Sequence, residues 1–247
     1  MVSSTSCPAF PEDLAFTAKQ RWAVAAGSIQ DAAVPELLPL DTFIFDFDGT
    51  LVDSMHHALA CFNESAHRYG LPQVSPEELP KLRRLGPKDA ISEYGVPLWK
   101  IPMLVQAVRA GLRSRMQELE PFPGIKDFLH ALKTVRKARC LLLTSNSRDN
   151  VEAFLARHEI AVFEHLSCGT SMFGKGARLR KLAERARLNP ETSAYVGDEV
   201  RDIEAARSAG IRSIAVSWGY GDRQALASEN PDFLLDEPAQ LLALWGK

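Results

Sequence analysis

The chain is poor in cysteine. Its four thiols, Cys7, Cys61, Cys140 and Cys168, include no C-x-x-C pair among 247 residues. That spacing excludes a disulfide framework or a cysteine-rich zinc site as the organising device, and it suits a reducing cytosol. Cys140 opens the apolar run Leu141-Leu142-Leu143 and reads as a small buried hydrophobe. No uninterrupted apolar stretch approaches the roughly 18 residues of a membrane-spanning helix. No secretory leader is expected either: Pro8, Pro11, Glu12 and Asp13 stand where its basic start and apolar centre would be. A cytoplasmic location is therefore expected. Charge of one sign is also lacking. The formal net charge is −2, so no basic field invites nucleic acid or an anionic membrane. Any anion site must be local. Neither H-E-x-x-H nor G-x-S-x-G occurs, which leaves zinc hydrolysis and serine-triad chemistry without support.

Hydrophobic residues make up 46% of the chain, enough for a large core. Apolar runs bounded by turn residues predict strands over Thr42–Asp46, Cys140–Thr144, Val162–Ser167, Ala194–Gly197 and Ser213–Ser217. Helical patterns lie between them at Gly124–Lys137, Ser147–His158, Lys175–Arg187 and Glu199–Ala209. Such alternation predicts an α/β fold: a Rossmann-like parallel sheet covered by helices on both faces. Ligands then bind beyond the carboxyl ends of the strands. Between Ser54 and Pro121 the alternation stops. That stretch reads as helices over Met55–Tyr69, Pro76–Arg84, Pro87–Tyr94 and Ile101–Leu119, punctuated at Gly70-Leu71-Pro72, Gly86-Pro87 and Gly95-Val96-Pro97. A small helical cap inserted after the first strand is expected, placed over the active edge as a lid. The expected organisation is an N-terminal extension at 1–40, a core at 41–53 and 122–247, and the cap at 54–121. Within the extension, Leu14–Ala26 fits a helix.

The chemistry concentrates in four strings. In Phe45-Asp46-Phe47-Asp48-Gly49-Thr50-Leu51-Val52-Asp53-Ser54 a buried strand ends in two carboxylates one residue apart. Alternation puts both on one face, although the turn at Gly49 can redirect the second. Adjacent carboxylates repel unless a cation or shared proton compensates. One then acts as nucleophile and metal ligand while the other exchanges protons with a leaving group. In Val196-Gly197-Asp198-Glu199-Val200-Arg201-Asp202, Asp198 closes a strand and Asp202 follows one helical turn later on the same side. Alone, this string would suit an N-capping aspartate with an acidic first turn. Together with the first, an oxygen-only set of Asp46, Asp198 and Asp202 suits Mg²⁺. Third, Thr144, Ser145 and Asn146, with the free N–H groups of a helix start, form a natural phosphate cradle. Fourth, Lys175 opens a helix in Gly174-Lys175-Gly176 and can set its ammonium against phosphate and the acidic cluster. Gly169 to Lys175 also fits G-x-x-x-x-G-K, but Gly176 stands where a nucleotide-binding P-loop needs a hydroxyl. Arg83, Arg84 and Lys88 form a basic cluster in the insert, suited to a substrate's distal anionic group or to a solvated helix face.

These four strings, in this order, resemble the haloacid dehalogenase superfamily over about residues 42–247. The helical insert and Ser217-Trp218-Gly219-Tyr220-Gly221 are similar to its phosphoglycolate-phosphatase-like branch. The resemblance implies a phosphatase acting on a small-molecule phosphate ester, with Asp46 as nucleophile and Asp48 as general acid and base. Thr144 would bind the phosphoryl group and Lys175 would neutralise charge. Asp46, the backbone carbonyl of Asp48 and Asp198 would hold Mg²⁺, with Asp202 acting nearby through water. Chains of this kind often carry proline after the lysine; here it is Gly176. A phosphomutase and a non-catalytic phospho-ligand-binding protein share the same core and stand as alternatives. A monomer or homodimer is expected.

Overall fold

The computed structural model describes residues 40–169 and 174–243. The expected helix at Leu14–Ala26 lies outside them. Six strands build one sheet: β1 (Thr42–Phe45), β2 (Arg139–Leu143), β3 (Phe163–Ser167), β4 (Ser193–Gly197), β5 (Arg212–Val216) and β6 (Phe233–Leu235). Their order is β3-β2-β1-β4-β5-β6, and every neighbouring pair is parallel. The expected α/β Rossmann-type architecture is the one observed. β6 was not anticipated, since three residues between Asp232 and Asp236 are too few to carry a periodic pattern.

Side chains of β1 alternate between two cores, as the pleat requires. Phe43 and Phe45 join Ile125, Phe128, Val151 and Phe154 on one face, and Phe47, just beyond the strand, adds to them. Ile44 points the other way, to Leu141, Leu143, Leu179, Tyr195 and Ala206. Helices α4 (Ile125–Ala131) and α5 (Arg148–Arg157) thus cover the first face, while α6 (Lys175–Ala186) and α7 (Val200–Ala209) cover the second. Short helices α8 (Arg223–Ser228) and α9 (Gln240–Ala243) complete the described set. Phe43, Phe45 and Phe128 meet ring against ring at 6.1–6.5 Å, so the central strand is locked where its carboxyl end must be placed.

Between β1 and β2 the chain forms helices α1 (Met55–Arg68), α2 (Leu79–Glu93) and α3 (Ile101–Ser114). The expected break at Gly86-Pro87 does not occur: two anticipated helices are one, running from Leu79 to Glu93 after a short 3₁₀ turn at Pro76–Glu78. An interior proline removes one hydrogen bond and crowds the carbonyl four residues back, yet the helix runs on through Pro87. The third helix stops at Ser114 rather than continuing to Leu119. Where the insertion leaves and rejoins the sheet, Val52 bridges Pro121 antiparallel. Asp53 N donates to Glu120 O at 3.0 Å and Phe122 N to Leu51 O at 3.0 Å, making a two-stranded neck.

Candidate active site

The sheet brings the ends of β1, β2 and β4 side by side, and the four strings meet there. Asp46 still pairs with β4, its N–H donating to Val196 O at 2.9 Å, so its side chain is placed by the sheet rather than by a loop. It is 4% exposed. Its Oδ1 accepts from Phe47 N at 2.7 Å and its Oδ2 from Lys175 Nζ at 2.5 Å. Lys175 also donates to Asp202 Oδ1, bridging β1 and α7. It reaches this position because Gly174, with φ +79, turns the chain through the left-handed region at the start of α6. Burial alone would lower the Lys175 pKa, but Asp202 and Asp46 outweigh it and hold the ammonium well above its usual value. Lys175 therefore stays charged, between the carboxylates of Asp46 and Asp202.

Beyond Asp46 the chain turns at Gly49, φ +77. The turn sends Asp48 to Asn146, whose Nδ2 donates to Asp48 Oδ2 at 2.9 Å. Asp48 Oδ1 is buried and without a hydrogen-bond partner among the described residues. Burial first, and the Asp46 charge second, push the Asp48 carboxyl up to about 6, against the Asn146 hydrogen bond. Two carboxyl groups one residue apart thus differ in environment: one is held by a cation, the other by a neutral amide. Thr144, at the end of β2, accepts from Asn146 N at 3.0 Å. Its hydroxyl proton then remains to be donated. Asn146 is held in turn by Ser147 N at 2.8 Å and Asn150 Nδ2 at 2.9 Å on its Oδ1. Ser145 is half-buried beside them.

Asp198 is fully buried. Thr50 Oγ1 donates to its Oδ1 at 2.6 Å and Tyr220 N to its Oδ2 at 2.8 Å. Burial, then the charges of Glu199, Asp202 and Asp46, raise its pKa well above the carboxylate range. Asp202 does two things at once: its Oδ2 caps α7 by accepting from Glu199 N at 3.0 Å, while its Oδ1 receives Lys175. The capping bond and the bond to Lys175 use different oxygens of one carboxylate.

Asp46, Asp198 and Asp202 each offer an oxygen, and these lie within 4.8 Å of one another. Five carboxylates (Asp46, Asp48, Asp198, Glu199 and Asp202) gather around Lys175 and Arg201, and Arg201 is already paired with Glu199. The negative excess and the oxygen-only donors fit a hard divalent cation such as Mg²⁺. The Asp48 side chain lies outside that group of three, so only its backbone carbonyl is in keeping with the expected ligand set.

Several site residues were missed from the sequence. Thr50 and Tyr220 orient Asp198 from 148 and 22 residues away. Ser54 Oγ and Tyr220 Oη share a hydrogen bond of 2.9 Å, tying the root of α1 to the loop after β5. The string Ser217-Trp218-Gly219-Tyr220-Gly221 was visible, but its contacts were not. In the basic cluster, Arg83 donates to two core carbonyls, those of Ser217 at 2.6 Å and Gly221 at 3.0 Å. Arg84 is exposed and the Lys88 side chain lies outside the described residues. A different arginine, Arg109 of α3, lies within electrostatic reach of Asp48 and Arg201; burial and the like charge of Arg201 lower its pKa. At Gly176 a Cβ would stand 2.3 Å from Ser208 Oγ of α7, a hydroxyl that can turn away, and at ordinary contact distance from Ser208 Cβ and Ala205 Cα.

Comparisons with known proteins place the chain among relatives. Residues 43–216 match the family described as haloacid dehalogenase-like hydrolase. A phosphoglycolate phosphatase of Synechococcus elongatus is 38% identical over 205 residues, 82% of this chain and 96% of the relative. One from Agrobacterium fabrum is 29% identical over 80% of this chain and 89% of its own. Among solved structures, a haloacid dehalogenase-like hydrolase from Streptococcus pneumoniae superposes with a TM-score of 0.71 at 24% identity, covering 83% of this chain and 98% of that one. With its carboxylates and lysine gathered at the strand ends and most of its length matched, this chain belongs to the haloacid dehalogenase-like hydrolase family.

Proposed function

We propose that this protein is a phosphatase that hydrolyses a small-molecule phosphate monoester through a phosphorylated Asp46. The observation that carries the reading is the buried pairing of Asp46 with Lys175 beside the Asp48–Asn146 hydrogen bond. In phosphoryl transfer, positioning and charge neutralisation dominate. Burial raises the Asp46 pKa and the Lys175 charge works against that rise; the same ammonium offsets charge on the incoming phosphate. The Thr144 hydroxyl and the N–H groups at the start of α5 hold the phosphoryl oxygens. Asp46 then attacks phosphorus in line, forming an acyl phosphate as the ester P–O bond breaks. Asp48, protonated at the start, delivers its proton to the departing alkoxide. It next takes a proton from water, which attacks the acyl phosphate and releases inorganic phosphate and free Asp46. Mg²⁺, held by Asp46, Asp198 and the Asp48 carbonyl with Asp202 close by, would supply further neutralisation of the phosphate charge. The helices from Met55 to Ser114 act as the cap that excludes water and selects the ester. The relatives' names support 2-phosphoglycolate as the first substrate to try.

The test is phosphate release from an aryl phosphate, 2-phosphoglycolate and a panel of sugar and alkyl phosphates, with and without Mg²⁺. Magnesium-dependent release that vanishes in Asp46→Asn, with the circular dichroism spectrum unchanged, is the expected result. Near-normal turnover by Asp46→Asn would sink the mechanism. A sugar phosphate isomerised without release of phosphate would instead identify a mutase.

A further inference from the structure

The loop between β5 and α8 touches both the helical insertion and the acidic cluster. On the core side it packs backbone against backbone. Gly221 N donates to Asp198 O at 3.0 Å and Tyr220 N to Asp198 Oδ2 at 2.8 Å. At Gly219 there is no room for a side chain: a Cβ would stand 2.2 Å from Gly49 O and 2.5 Å from Asp198 Cβ. A shift of this loop therefore has no slack to absorb it before it reaches Asp198. On the other side, one nitrogen of Arg83, in α2 of the insertion, holds both ends of the loop: its Nη2 donates to Ser217 O and Gly221 O, four residues apart. Tyr220, between them, bonds Ser54 at the root of the insertion.

We propose that Arg83 is a positioning residue, which staples the 217–221 loop when the insertion lies over the strand ends and thereby fixes the orientation of Asp198. The inference rests on the role proposed for Asp198, but not on the identity of the substrate. Arg83 does not touch the reacting atoms. It makes the geometry of the acidic cluster depend on where α2 sits, so full assembly of the site follows closure. Arg83→Met removes both bonds while keeping the aliphatic stem; Arg83→Lys restores a cation able to bond carbonyls.

Two measurements on the full-length protein test this. The first is hydrogen–deuterium exchange of the peptide holding Tyr220 and Gly221, which needs no activity. In Arg83→Met its amides should exchange about tenfold faster than in the wild type, in line with loss of local protection, while β1 and β4 amides stay unchanged. The second is phosphate release as a function of Mg²⁺. Arg83→Met should raise the half-saturating Mg²⁺ severalfold and lower kcat by about an order of magnitude, with Arg83→Lys intermediate. Unchanged exchange in a folded Arg83→Met protein overturns the proposal even where the enzyme is active. Accelerated exchange in a protein whose wild type releases no phosphate would keep the staple and remove the phosphatase reading instead.

Discussion

At the scale of single residues, the site separates two neighbouring carboxyl groups by giving them different partners. Asp46 faces Lys175, whereas Asp48 faces Asn146 and is pushed up to about 6. A group that protonates a leaving alkoxide matters most when that alkoxide is a strong base. Asp48→Asn should accordingly lower kcat/KM for an alkyl phosphate by about 10²–10⁴-fold. For p-nitrophenyl phosphate, whose phenolate leaves unaided, the loss in kcat/KM should be far smaller. Equal losses on both esters would remove Asp48 from the acid role. The carboxylates themselves were legible in the sequence because strand ends, turn residues and spacing are local properties. Their partners were not: Thr50 meets Asp198, Arg83 meets Ser217 and Asn146 meets Asp48 across 148, 134 and 98 residues. Only folding sets such pairs.

At the scale of elements, strands β1 to β5 were readable almost to the residue, because β1, β2, β4 and β5 bury most of their side chains on both faces; β3, at the sheet edge, exposes Glu164 and His165 and was read from its bounding residues. The insertion was readable as helical but not in its joints. Gly86-Pro87 looked like a boundary, and α2 runs through it. The loop after β5 teaches the complementary lesson, since its glycines serve space rather than unusual dihedrals. Gly219 is not among the positive-φ residues, yet a Cβ there would collide with the Gly49 carbonyl and the Asp198 carboxylate. Overpacking of this kind costs about 1–3 kcal/mol. Gly219→Ala should therefore lower the melting temperature by several degrees and depress phosphatase activity further than the stability loss accounts for, because the displaced atoms belong to Asp198. Thermal melts beside phosphate assays on the same preparation decide this. Wild-type activity in the alanine variant would mean that the loop can move without moving Asp198.

At the scale of the whole molecule, the fold stores repulsion. Asp46, Asp198 and Asp202 are buried within 4.8 Å of one another, with Lys175 between two of them. A cation that binds only the folded state stabilises it by about 2.7 kcal/mol at a hundredfold excess over Kd, which is roughly 5–10 °C for a chain of this size. Mg²⁺ should raise the melting temperature by that order and chelation should reverse it. Asp198→Asn should abolish most of the shift. A melting curve indifferent to Mg²⁺ in the wild type would argue that the repulsion is relieved by protons instead.

The two-stranded neck at Val52 and Pro121 has a consequence for how such a protein can change over generations. The chain leaves the sheet and returns to it on adjacent strands, about 5 Å apart. To the core, everything from Asp53 to Glu120 has the topology of an enlarged hairpin loop. Lengthening such a loop is inexpensive, about 0.6 kcal/mol for each doubling. The inserted helices can thus be resized or rebuilt at little cost to the strand ends that carry Asp46 and Asp198.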